Sequence, residues 1–356
     1  MNVPRLSLIA GITGTLAFAA AGGAVFDWLT VPLAWLIGAM VITTAAALMG
    51  APLKGPGRLR NVMIGVLGIM LGSAFTPDAL DNLGQWLGSL AVLLAFIVLV
   101  TTVVSLYLVR IGGYDPISAF FSASPGGLAT MVVMGGEMGG DERSIALTHS
   151  IRVMLTVLVI PFWFRFFHGY EPGGLAAVFG DIGDIAGRDL MILLLCGLGY
   201  PLARLLRLPA APMLGPMALS VAVHLSGVTE AKPPAEIVNL AQVVIGTSIG
   251  CRFVNIPVMR VLKLLMVSAG ATFFMLALAA GAALGVEAAT GLPFPALWLA
   301  FAPGGLAEMT LISLAMGIDT AFVSTHHLLR VVFMVFAAPV VFGLLRKRMG
   351  ALDKNG

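Results

Sequence analysis

Twelve apolar runs of membrane-crossing length follow one another along the chain, at about 6–27, 32–50, 60–79, 85–109, 116–138, 143–166, 189–206, 209–228, 237–256, 262–286, 294–316 and 320–345. A helix needs ~20 apolar residues to cross ~30 Å of hydrocarbon. The runs are continuous, without the polar–apolar alternation of a transmembrane strand. The pattern predicts an all-α, polytopic integral membrane protein. Composition agrees: 59% of the 356 residues are hydrophobic and only 10% are charged, where a soluble domain carries about 25% charged residues. The cores of soluble domains stop growing well before they could hide so much apolar surface, so the lipid bilayer is the expected partner.

The net charge is +3, and the basic residues sit in small groups between the runs, as at Lys54, Arg58 and Arg60 or Arg346, Lys347 and Arg348. That spacing suits loop anchors at anionic headgroups. A nucleic-acid surface needs Lys and Arg clustered on one folded face, so no nucleic-acid partner is expected. Cys196 and Cys251 lie in apolar stretches without metal-ligand spacing and read as small buried hydrophobes. Arg5, the apolar run after it and the small residues near Ala19 have the make-up of a secretory signal. The run continues to Val25 and another follows at once, so a retained first helix is expected. The one long polar stretch, near 167–187, holds Glu171, Asp181 and Asp184 with several glycines and reads as a linker.

The two sides of that linker repeat each other. At an offset of 178, Pro125, Gly126, Gly127, Leu128, Ala129 and Met131 match Pro303, Gly304, Gly305, Leu306, Ala307 and Met309. Asp141, His149, Arg152 and Pro161 then match Asp319, His327, Arg330 and Pro339 in step. Gly68 and Gly72 match Gly246 and Gly250, and at an offset of 177 Pro32, Gly38 and Met40 match Pro209, Gly215 and Met217. A near-constant register over most of each half is the mark of duplication. The expected organisation is a first membrane repeat over 1–168, a polar linker over 169–187, a second repeat over 188–348 and a polar tail over 349–356. Each repeat would hold five or six transmembrane helices. If every element crosses, the repeats run parallel. If the Pro-Gly-Gly element re-enters, or one early helix does not cross, they are inverted, which is common in transporters and is the arrangement favoured here. Counts of Lys and Arg break the positive-inside rule comparably either way.

Each copy carries three helix breakers inside an apolar run: Pro125, Gly126 and Gly127 after Ser124, and Pro303, Gly304 and Gly305. Proline lacks an N–H and crowds the preceding turn, and glycine disfavours the helix. Backbone groups freed at membrane depth must be satisfied or must line a wet cavity. Two half-helix ends near the midplane make a device for binding small ions; a kink held by neighbouring helices is the plainer alternative. Glu308 stands three residues past the second break, where Thr130 stands in the first copy. A carboxylate in an apolar helix must face a cavity, hold its proton or pair with a base such as Arg330, and Glu308 is the candidate proton- or cation-coupling group. Asp141 and Asp319 open the next helices, which suits capping as well as ligand binding.

His149 and Arg152, and His327 and Arg330, are three residues apart and share a helix face within apolar helices. Arginine stays charged, so both guanidiniums need anionic partners: an acidic substrate held between the repeats, or Asp141, Glu137, Asp319 or Glu308. The Gly-xxx-Gly pairs suit close helix packing, with Asn61, Asn239 and Gln242 as polar groups nearby. No His and Glu spacing suggests a metal centre, and neither a metal nor another cofactor is expected.

The paired PGGLA…M elements, each followed by Asp, His and x-x-Arg, resemble the AbrB-type membrane protein family, whose members are also labelled ammonia monooxygenases. The resemblance runs from Pro32 to Phe342. It implies a duplicated membrane domain, a multi-pass place in the bacterial inner membrane and an association with regulation of gene expression. The plan is also similar to the cation–proton antiporter and anion transporter superfamily, whose Pro- and Gly-containing helix, Gly-rich helix and broken crossing helix would be the elements at 32–50, 60–79 and 116–138. The antiporters' paired acidic residues are absent from the broken helices, where only Glu308 stands. Oxygen chemistry needs a cofactor and its ligand cluster is missing, so the chain is not expected to be an enzyme. These residues point to a secondary transporter of a small anionic solute or ion, coupled to protons or a cation. The two turns, with Thr130, would coordinate the ligand, His149, Arg152, His327 and Arg330 would neutralise charge, and Glu308 would couple. The alternative is a membrane-embedded sensor that affects gene expression indirectly. A homodimer is compatible with either.

Overall fold

The computed structural model describes residues 5–75, 83–167, 169, 182–208 and 210–352, and every regular element among them is helical. In the first half these are α1 (Arg5–Trp28), α2 (Ala34–Leu48), α3 (Gly57–Gly72), α4 (Leu83–Arg110), α5 (Pro116–Ala123), α6 (Leu128–Glu137) and α7 (Glu142–Phe167). The second half has α8 (Gly187–Cys196), α9 (Gly199–Leu205), α10 (Ala211–Leu225), α11 (Ala235–Gly250), α12 (Val258–Thr290), α13 (Phe294–Phe301), α14 (Leu306–Ala315) and α15 (Thr320–Leu352).

Segments of α1, α4, α7, α12 and α15 are long and apolar enough to cross a membrane. α4 and α12 turn large apolar side chains outward, among them Leu87, Val98 and Leu99, and Met266, Phe273 and Leu284. Their Ser89, Thr101, Ser268 and Thr272 are buried instead. Apolar outside and polar inside is the distribution that lipid favours.

Three expectations change. The run at 189–206 is two helices, because Pro201 has no N–H to return to the carbonyl of Gly197; the Tyr200 N–H reaches that carbonyl instead, at 3.1 Å. Of the expected linker, Glu171 and Asp181 lie outside the described residues, while Ile182–Asp184 form a 3-10 turn and α8 already begins at Gly187. The tail expected from 349 starts later, since α15 continues to Leu352 through Arg346, Lys347 and Arg348, all good helix formers.

The chain divides into two compact units. The first comprises Met1–Trp86, Val153–Lys263 and Gly304–Ser324, and the second Leu87–Arg152, Leu264–Pro303 and Thr325–Gly356. In the first unit α2 packs along α11 and α3 along α10, with α1 against α2 and α9 against α10. Small residues make these contacts, and they come in pairs at offsets of 177 and 178. Gly68 faces the carbonyl of Met213 and Gly246 that of Leu36; Gly72 meets Ser220 and Gly250 meets Thr43. Gly22 with Gly38, and Gly199 with Gly215, set backbone against backbone. Missing β-carbons let helices close to this distance without any gain from expelling water, which is how helices associate in lipid. The residues before α2 and α10, Leu33 (φ 50°) and Ala210 (φ 49°), share the left-handed conformation that side chains disfavour.

The second unit holds most of α4, α5, α6, the first part of α7, most of α12, α13 and most of α15. Phe96 and Phe301 meet edge to face at 5.3 Å. The Trp298 indole donates to the carbonyl of Leu276 at 3.1 Å.

Candidate functional site

α5 starts at a strong cap: the Asp115 carboxylate accepts from the N–H groups of Ile117 and Ser118 at 3.0 and 2.8 Å, with Pro116 in the first turn. It ends at Ala123, and Ser124 is extended (φ −61°, ψ 125°), as a residue before proline prefers. The chain then doubles back. The Asp141 N–H, just beyond α6, donates to the Ser118 hydroxyl at the start of α5 at 2.7 Å, and Gly135 lies against Phe121. The element at 116–138 is therefore a hairpin with Ser124, Pro125, Gly126 and Gly127 at its tip. Its arms have 8 and 10 residues, about 12 and 15 Å of helix, which is less than the ~30 Å of a bilayer core. Met131 folds over Gly126, and Met309 folds over Gly304 in the second copy.

The proline at each turn removes the N–H that would have closed the last helical bond. The carbonyl of Phe121 faces Pro125, and His149 Nε2 donates to it at 2.8 Å. The carbonyl of Leu299 faces Pro303; it receives His327 Nε2 at 2.9 Å besides a 3.3 Å contact from the Ala302 N–H. A carbonyl can only accept, so Nε2 carries the proton in both rings and Nδ1 is left as an acceptor. The arginines serve the next carbonyls. Arg152 Nη1 donates to those of Ser122 and Ser124 at 3.2 and 3.4 Å, and its Nη2 donates to His149 Nδ1 at 2.8 Å. Arg330 Nη1 donates to the carbonyl of Ala302 at 2.6 Å. These are the final carbonyls of α5 and α13, the negative ends of their dipoles. None of the four side chains is more than 4% exposed.

Pro125, Pro303 and Arg330 line one cavity with Phe96 and Phe301; at about 10 Å³ it has room for a single water. Arg152 is near enough to Arg330 for their charges to interact. The second unit thus gathers two guanidiniums and the prolines of both turns.

Glu308 belongs to the first unit. It is 7% exposed in the first turn of α14, its carboxylate folded back over Gly305, where the positive helix end favours it. The base whose charge meets it is Arg252, in the turn after α11, with Arg60 of α3 also near Arg252. Sequence reasoning did not single out Arg252. The signal was available: Ala74 stands at the equivalent place of the first copy, as Thr130 stands where the second has Glu308. Both charges of the pair are peculiar to the second copy. Thr130 itself is half-buried in the first turn of α6.

Asp141 accepts from the Arg143 N–H at 3.1 Å and the Ser144 hydroxyl at 2.6 Å, and Asp319 accepts from the Phe322 N–H at 3.0 Å. Both act as N-caps, of α7 and α15. Asp141→Ala and Asp319→Ala should each cost about 1 kcal/mol of stability in thermal unfolding in detergent, and leave ligand binding intact. A variant that folds normally and loses binding would place its aspartate in the site.

Residues 35–346 match the family described as "Transition state regulatory protein AbrB". The chain is 28% identical over 359 residues to a Bacillus subtilis (strain 168) protein named YhjN and described as uncharacterized, covering 94% of this chain and 93% of that one. It is 26% identical over 311 residues to an Escherichia coli (strain K12) protein named as a candidate regulator, AbrB, covering 87% of this chain and 89% of that one.

Proposed function

The chain belongs to the AbrB family, and from that premise we propose that it is a secondary transporter of a small anionic solute across the bacterial inner membrane, coupled to protons or a cation. The observation that most supports this reading is the meeting of Pro125, Pro303 and Arg330 at one cavity, with the charge of Arg152 close by. Guanidiniums at membrane depth are costly unless an anion offsets them. The paired glycine contacts, the paired left-handed residues and the paired His and Arg bonds all support an internal duplication. If the second Pro-Gly-Gly element re-enters as the first does, each half crosses through five elements. The first half would use α1, α2, α3, α4 and α7, and an odd number inverts the second repeat. Glu308 is the coupling group: ionised, it answers Arg252; protonated, it needs no counter-charge.

Purified protein in proteoliposomes with an imposed pH gradient tests the proposal. An anionic metabolite that raises the thermal stability of the protein should accumulate in response to the gradient. Binding without gradient-dependent uptake would sink the transporter reading. It would leave a membrane-embedded sensor, which the regulatory family description and the name of the Escherichia coli relative favour.

A further inference from the structure

We propose that the slot between α3 and the pair α8 and α9 holds an acyl chain of an anionic membrane phospholipid, whose phosphate meets Arg58 and Arg204. The proposal stands apart from the transport reading.

The first unit contains a cavity of about 320 Å³, within the size range of small-molecule sites. α3 lines it with Val62, Val66 and Ile69, and α8 with Leu190 and Leu194. Residues three and four apart make one stripe along each helix, and from Asn61 to Ile69 that stripe is ~12 Å long. The space is therefore elongated and follows the helices, as lipid chains do. It opens at Val62 and Leu194, which are 55% and 70% exposed, beside the equally outward Leu195 and Leu198. In a membrane such a mouth faces hydrocarbon.

At the equivalent place of the first copy the protein fills the space itself. Val243 stands there for Gly65 at an offset of 178, and it packs on Ala19 and Ala39 with Leu16, Ala20 and Trp35 around it. An empty slot would forfeit the dispersion contacts of its walls. Water is a poor filler, because Asn61 and Tyr200 are the only side chains among its lining residues that could bond it.

Those two polar groups share one end. α3 runs with α10, since Gly68 faces Met213 and Gly72 meets Ser220. α8 and α9 run against α10, since Gly199 meets Gly215 while Leu193 and Cys196 pack near Leu219 and Val223. Ile69 thus meets Leu193 towards one end of the slot, and Asn61 and Tyr200 stand at the other. One turn beyond them on the same faces are Arg58, three residues before Asn61, and Arg204, four after Tyr200, both exposed. The segments around the opposite end carry Asp184, Asp189, Glu230 and Glu236 against Arg188 and Lys232. Only the arginine end suits an anionic headgroup.

The test uses the full chain in detergent micelles doped with dioleoylphosphatidylglycerol, dioleoylphosphatidylcholine or sodium oleate at one molar ratio. Phosphatidylglycerol should raise the midpoint of thermal unfolding the most. Val66→Trp and Val62→Trp fill the slot and its mouth and should lose that rise, whereas Val98→Trp, on the outer face of α4, keeps it. The double variant Arg58→Gln, Arg204→Gln should respond to phosphatidylglycerol no more than to phosphatidylcholine. Phosphatidylglycerol extracted from each purified variant gives a readout independent of stability, with less expected in both slot variants than in Val98→Trp. Val62 lies at the surface, so its variant remains readable if Val66→Trp does not fold. Equal wild-type responses to the two phospholipids, a rise with oleate alone, or slot variants that retain as much lipid as Val98→Trp would overturn the assignment. A double arginine variant that keeps the preference for phosphatidylglycerol would overturn the headgroup contact.

Discussion

Gly68→Ala and Gly246→Ala are each expected to destabilise the protein by about 1–3 kcal/mol, and by similar amounts. A β-carbon on Gly68 would lie 2.5 Å from the carbonyl oxygen of Met213, and one on Gly246 would press equally hard on the carbonyl oxygen of Leu36. Both obstacles are backbone atoms of a neighbouring helix, so no side chain can swing aside, and α3 must part from α10 or α2 from α11. Lipid offers little compensation, since helices that separate there expose apolar surface to an apolar solvent. Gly285→Ala is the control. It lies inside α12 with nothing within 4 Å of a β-carbon, so it should be neutral or slightly stabilising through helix propensity. Thermal unfolding of the three variants in one detergent decides the matter: a Gly68 or Gly246 variant no less stable than the Gly285 variant would mean that these helices do not meet as described.

Glu308→Gln should abolish the response of uptake to a pH gradient. One proton coupled to each solute permits up to about tenfold accumulation per pH unit, since 1.4 kcal/mol is a factor of ten. A glutamine keeps the shape of the protonated carboxyl and can neither release a proton nor answer the charge of Arg252. Uptake in proteoliposomes should then run only down the solute's own gradient, while Glu308→Asp retains some pH dependence. A glutamine variant that still accumulates solute when the pH gradient is imposed removes Glu308 from the coupling step.

Much of this was legible in the sequence because the residues concerned recur in register. The Pro-Gly-Gly breaks, the His and Arg face and the close-packing glycines all stand out by recurring in register, and Asp141 and Asp319 cap helices as their positions suggested. The doubling back of α5 and α6 was one of two alternatives that the sequence left open. The run at 116–138 is mostly apolar, so hydropathy reads it as a crossing, whereas the Asp141 N–H donates to Ser118, 23 residues away. The target of the histidines was hidden for a related reason. A proline shows that a carbonyl has lost its donor but not which group replaces it, and here the replacement comes from 28 residues downstream in each copy. Arg252 escaped notice because it sits in an apolar run, although like Glu308 it has no charged counterpart in the first half.

The replacement of a backbone donor by His149 has a mechanical consequence. A turn closed by its own N–H groups can ride with its arms as a separate piece. The turn at Pro125 is closed instead by His149 and Arg152, which belong to α7. Any sliding or rotation of α7 along its axis must drag the tip with it or break three bonds at once, so the tip and this stretch of α7 behave as one moving part.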